Sequence, residues 1–178
     1  MSYTTIKAIW PGEKHEDLEE LRNSHGSAPV IWGALCERYL GNRNAWLFHA
    51  EDLWPLYKRQ DIPVCLRAVL MMTFDRAYVE RKDYARAASD IEEFLRIAPP
   101  PENHVNHWPR LAELFRSNPD IPAIGLHCTS VSEDPFQGPW NEDAEDYDPP
   151  DWGQCWSVYD DDVLRPSAAL QGESHDAT

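Results

Sequence analysis

The sequence predicts an α+β fold: a predominantly helical body with a small antiparallel sheet formed by the N-terminal strand and two C-terminal strands. Three observations carry that prediction. Residues 61–99 read as two neighbouring helices, the first apolar on every side and the second amphipathic. Thr5-Ile6-Lys7-Ala8-Ile9-Trp10 and Ala123-Ile124-Gly125-Leu126-His127-Cys128-Thr129-Ser130-Val131 are rich in β-formers and stand near opposite ends of the chain. At 178 residues and 42 % hydrophobic content, the chain is long enough to close one sizeable core.

In chain order, residues 5–10 form the first strand, ended by Pro11-Gly12. Residues 15–23 are predicted as a short acidic helix, because Leu18 and Leu21 stand three apart and can share one helical face. The next helix begins at Ser27 with Pro29 in its first turn. Ile31, Leu35, Tyr39 and Leu40 form its apolar side, and Gly41 suits a left-handed terminator. Trp46-Leu47-Phe48 is a short apolar patch, and residues 51–59 form an acid-led helix with Leu53, Trp54 and Leu56 or Tyr57 inward. The central helix has Asp61 as N-cap and Pro63 in its first turn, then runs through Ala68-Val69-Leu70-Met71-Met72-Thr73-Phe74 without a charge. Arg67, Asp75 and Arg76 interrupt it too soon for a membrane span, so it is a core helix. Its partner starts near Asp83 and sets Tyr84, Ala87, Ala88, Ile91, Phe94 and Leu95 on one stripe, until Pro99-Pro100-Pro101 stops it. Asn103 or Asn106 caps a further helix bearing Trp108, Leu111, Ala112 and Phe115. Residues 123–131 are the strongest strand, and residues 154–159 the third. Residues 1–166 are expected to form a single domain, with residues 167–178 a patternless, frayed tail.

Within the central pair, Ala77 and Tyr78, then Tyr84 and Ala87, then Phe94-Leu95 and Pro99 fall in the order of a helix–turn–helix unit. Residues 71–99, about a sixth of the chain, resemble one tetratricopeptide repeat. Met71 replaces the usual Trp, and Phe74-Asp75 the usual Leu-Gly. The resemblance implies that Ala77 and Tyr78 lie on a helix and that a peptide-binding adaptor is one function to weigh, with its groove beside Tyr78 and Tyr84.

Charge divides the chain unevenly. Of a net −15, residues 133–178 carry −12, from 13 acids against the single base Arg165, and the other 132 residues only −3. Such a field repels nucleic acid and draws basic partners. Cys36, Cys65, Cys128 and Cys155 form no C-x-x-C and sit in apolar surroundings, with Cys128 and Cys155 on strands that could be neighbours. Residues 1–5 lack an apolar signal run. A cytoplasmic protein with reduced thiols and no membrane association is expected.

Catalytic signatures are sparse. The sequence holds no G-x-S-x-G and no Gly-rich phosphate loop, and no cofactor is expected. His104 and His107, spaced H-x-x-H, with His127 further on, are the one lead toward a metal-dependent enzyme. The acidic run 143–148 lacks the glycine and terminal glutamate of a calcium loop in register. No catalytic or metal residue is assigned. Acids threaded with aromatics are the more informative pattern: Trp140, Tyr147, Trp152, Trp156 and Tyr159 run through Glu142 to Asp162, where a disordered acidic tail would be poor in Trp. Trp140, Glu142, Asp143, Glu145, Asp146, Asp148, Asp151 and Trp152 are the predicted contact residues. They predict an inhibitor that occludes a basic protein, a toxin or nuclease. An immunity protein neutralising a bacterial toxin is the nearest case by composition, and a phage-type nucleic-acid mimic that blocks a defence nuclease is the alternative.

Overall fold

The structure, a computed structural model, describes residues 3–10, 15–22, 27–102, 104–127, 136, 138–148 and 154–159. It is a mixed α/β architecture, as expected, but the sheet differs from the predicted one. Five strands run in the order β2-β1-β4-β3-β7, where β1 is Tyr3–Ile9, β2 His15–Arg22, β3 Ala77–Glu80, β4 Ala123–His127 and β7 Trp156–Ser157. Pairing is antiparallel except between β3 and β7, which run parallel. Strands β5 (Trp140–Asn141) and β6 (Asp146–Tyr147) form a separate two-stranded hairpin.

Two of the five strands correct the sequence reading. His15–Arg22 is a strand and not the predicted acidic helix. Its register against β1 slips between Ile6 and Lys7, leaving Leu18 as an extra residue. That bulge lets Leu18 and Leu21 both reach the main core, although residues three apart on a regular strand face opposite sides. The charges that suggested a solvated helix instead guard an exposed sheet edge. Lys7 pairs with Asp17 at 2.5 Å, and Arg110 chelates both carboxylate oxygens of Glu19.

The second correction is Ala77–Glu80, expected on a helix and found as a strand buried along its whole length. Helix α3 (Val64–Met71) ends just before it. Thr73 Oγ1 donates to Leu70 O (2.6 Å) and accepts from Trp32 Nε1 (2.9 Å), and Arg76 turns the chain through a left-handed backbone (φ 69°). Four residues are too few for a period-of-two signal to stand out inside an apolar run. Asp61, expected to cap α3, bonds Arg59 through both carboxylate oxygens, and Pro63 takes the cap position.

The other helices follow the sequence more closely. α1 (Ala28–Leu35) continues as a π-helical turn, Cys36–Leu40, and Gly41 ends it with φ 74°. α2 (Ala50–Leu53) passes into a 3-10 segment, Trp54–Lys58, at Pro55, which has no N–H for an α-helical bond. α4 (Tyr84–Ile97) buries Tyr84, Ala87, Ala88, Ile91 and Phe94. α5 (Trp108–Ser117) packs antiparallel on it, with Tyr84 against Phe115 (5.4 Å between ring centroids) and Phe94 edge-on to Trp108 (5.8 Å). The cap position of α5 falls on His107 and not on Asn103 or Asn106, though Asn106 Oδ1 accepts from Trp108 N–H just ahead of it. The described residues contain no helix long and apolar enough to cross a membrane.

The sheet has two buried faces. Ile6, Ala8, Ala77, Val79, Ile124 and Leu126 face the helices in the main core. Ile9, Tyr78 and Ala123 face the other way and are covered by Phe136 and Cys155. Gly125 is needed on that second face: a Cβ there would stand 2.6 Å from the Phe136 ring and 2.7 Å from Ile9 Cδ1. Cys36 and Cys65 are buried thiols whose pKa burial raises, which keeps them protonated. Cys128 and the proposed tail lie outside the described residues.

Candidate functional site

The acidic hairpin is positioned by anchors on either side of it. Ahead of it, Phe136 is sealed against the second face of the sheet. Behind it, β7 adds to the sheet edge: Trp156 N–H donates to Arg76 O (2.8 Å) and Val158 N–H to Tyr78 O (3.0 Å). Arg76 also bonds the side chain of Gln154. Tyr159 completes the second anchor, donating its hydroxyl to Asp90 on α4 (2.8 Å) while the Arg86 guanidinium sits 4.3 Å from its ring centroid. Burial, then Asp90, pushes the Tyr159 phenol far up, so it remains a donor. Burial likewise raises the Asp90 carboxyl, while the Tyr159 hydroxyl and Arg86 pull it back.

Between these anchors the hairpin is built from its own side chains. Trp140 pairs with Tyr147 and Asn141 with Asp146, and two more backbone bonds join Gly138 to Asp148 and Asp148 to Pro139 (both 2.9 Å). The turn is acidic, residues 142–145. Asn141 Oδ1 accepts from Asp143 N–H (3.0 Å) and Ala144 N–H (3.2 Å), and Asn141 Nδ2 donates to Asp148 Oδ1 (2.9 Å). Glu145 closes the turn in the left-handed region at φ 50°. One asparagine therefore organises a loop whose other side chains point to solvent.

Six of the eight predicted contact residues come together here. Trp140 is 52 % exposed and meets Tyr147, 47 % exposed, edge to face at 5.0 Å. Glu142, Asp143, Glu145 and Asp146 are exposed, and Asp148 is half-buried on its bond to Asn141. Among the described residues none of these five acids forms an ion pair. Asp151 and Trp152 lie outside the described residues. The aromatics divide by role: Tyr159 is an anchor and Trp156 pairs on the sheet edge, whereas Trp140 and Tyr147 face water. Sequence reasoning missed Asn141 as the organiser and Tyr147 as the partner of Trp140. The available signal was two aromatics placed symmetrically about an Asn-led acidic turn.

The remaining leads do not assemble. Among the described residues no group of three His, Cys, Asp or Glu could hold a metal ion, so His104, His107 and His127 do not converge on one. His107 is a structural link: its N–H donates to Ser27 Oγ (2.8 Å) and its Nε2 lies 2.6 Å from Arg22 O. His127 is buried on β4. Tyr78 and Tyr84, expected beside a peptide groove, are both buried, and the Tyr84 hydroxyl donates to Ile121 O (3.0 Å). No family model, curated protein or solved structure matches this chain.

Proposed function

We propose that this protein is an acidic inhibitor that binds a basic protein target through the 138–148 hairpin and occludes its working surface, an immunity protein against a toxin being the nearest case. One observation carries the reading: a solvent-facing Trp140–Tyr147 pair rimmed by carboxylates that meet no cation among the described residues. Exposed aromatics are the side chains that anchor protein interfaces. Unneutralised acids around them raise the encounter rate with a basic partner and fix its orientation. Such an inhibitor needs no catalytic group, only a surface held in a defined shape. The Asn141 bonds and the anchors at Phe136 and Tyr159 support that requirement.

The test begins with the partner that co-purifies from the protein's own cell. Changing Glu142→Gln, Asp143→Asn, Glu145→Gln and Asp146→Asn together should slow its association by about tenfold or more at low salt and flatten the salt dependence. Association unchanged by the fourfold variant overturns the reading. Competition with duplex DNA separates the two forms of the proposal, since only a nucleic-acid mimic shares its site with DNA.

A further inference from the structure

We propose that the groove between α1, α3 and the end of α4 binds a small amphipathic carboxylate, with its acid group at Arg38 and its apolar body on the floor beneath α4. The groove encloses about 360 Å³, within the roughly 300–1,000 Å³ of small-molecule sites. Its floor is apolar and comes from three elements: Val30 and Ala34 on α1, Leu66 on α3, and Ile97 with Ala98 and Pro99 at the end of α4. Its charged groups are Glu37, Arg38 and Arg43, which give one mouth two guanidiniums against one carboxylate.

These three groups are not equivalent. Arg43 lies over Gly33, where a Cβ would stand 3.4 Å from Arg43 Cγ, and its guanidinium bonds Glu37 at 2.8 Å. That pair satisfies itself. Arg38 has no hydrogen bond or ion pair among the described residues, while Arg22, Arg43, Arg59, Arg96, Arg110 and Arg116 all hold carboxylates. Arg38 is thus an exposed guanidinium, unpaired among the described residues and beside an apolar recess. It rides on the π-helical turn Cys36–Leu40, a wide turn of a kind concentrated at functional sites. The C-terminal carbonyls of α4 bring partial negative charge to the wall that Ile97, Ala98 and Pro99 form. A ligand with one anionic end therefore enters in one orientation, acid toward Arg38 and hydrocarbon toward Ile97 and Pro99. A fork-shaped guanidinium suits a carboxylate, which accepts two parallel bonds.

Octanoate, octanol and octylamine, titrated separately into the full chain and followed by backbone amide shifts, test this directly. Octanoate should bind saturably, shift the amides of residues 30–43 and 97–98, and bind at least about tenfold more tightly than octanol or octylamine. Arg38→Gln, an exposed change, should remove most of that preference. Ala34→Trp should fill the groove and block all three ligands. Equal binding of the acid and the amine, an unaltered preference in Arg38→Gln, or no saturable binding of millimolar octanoate would each overturn the proposal.

Discussion

On the body, Glu19 is chelated by Arg110, Glu92 meets Arg116, Glu93 meets Arg96, and Asp61 meets Arg59. On the hairpin, Glu142, Asp143, Glu145 and Asp146 meet no cation among the described residues. Two of these pairs tie elements together: Glu19 joins β2 to α5, and Glu92 joins α4 to α5. Each such exposed pair contributes little, and its field is cancelled a few ångströms away. The hairpin acids leave their field intact, at the cost of mutual repulsion. Phe136 is sealed while Trp140, four residues on, is exposed, as Phe48 is on the body. Under the proposed function, stability resides in the body and the anchors, and the charge a partner meets resides in the hairpin.

The largest expected effect tests that division with two aromatics four residues apart. Phe136→Ala should destabilise the protein by about 3–5 kcal/mol in urea denaturation, because it empties a sealed site on the sheet. Trp140→Ala should shift stability by less than about 0.5 kcal/mol and weaken partner binding instead. Similar stability losses from both would erase the distinction. Gly125→Ala probes the same anchor from the other side. Its Cβ has no room beneath Phe136, and overpacking of this kind costs about 1–3 kcal/mol.

A smaller effect concerns pH. The hydrogen bond from Arg110 holds the Glu19 carboxyl below its usual pKa of 4.5. A carboxyl depressed in the folded state adds stability above its unfolded pKa and loses it as pH falls through the folded value. Glu19→Gln should therefore be less stable than the parent chain near neutrality, and the gap should close well below pH 4.5. A gap of constant size in denaturation series across that range would mean the ion pair is not its source. The smallest effect is at Glu145. Its left-handed backbone favours glycine, so Glu145→Gly should gain at most about 0.5 kcal/mol locally, offset by the extra freedom of the unfolded chain. The gain should appear as larger ring-current shifts between Trp140 and Tyr147, with the global melting temperature unmoved.

Much of the body was legible because its signals are long. The stripe Tyr84-Ala87-Ala88-Ile91-Phe94 spans about three turns, and β1 and β4 carry β-formers at Thr4, Thr5, Ile6, Ile9 and Ile124. β2 was obscured by its bulge, which places leucines three apart on one side of a strand and so imitates a helix. β3 was obscured by its brevity and by the likeness of its surroundings to a helical repeat. The acidic turn was legible as a cluster. The hairpin was not, since two-residue strands carry no periodicity and their register rests on one asparagine. Phe136, alone in a stretch of sequence rich in Pro and Gly, gave no local sign that it would seal a sheet face. Of its partners, Tyr78 is far away in sequence, and Gly125 is a glycine whose lack of a side chain gives no sign of contact.

The most direct measurement is the association rate with the co-purified partner as a function of ionic strength, for the native chain and for the variant neutralised at Glu142, Asp143, Glu145 and Asp146. The predicted result is a steep fall with salt for the native chain, a nearly flat line for the variant, and convergence of the two at high salt. Two superimposable curves would contradict the account, placing the partner on some other surface of the molecule.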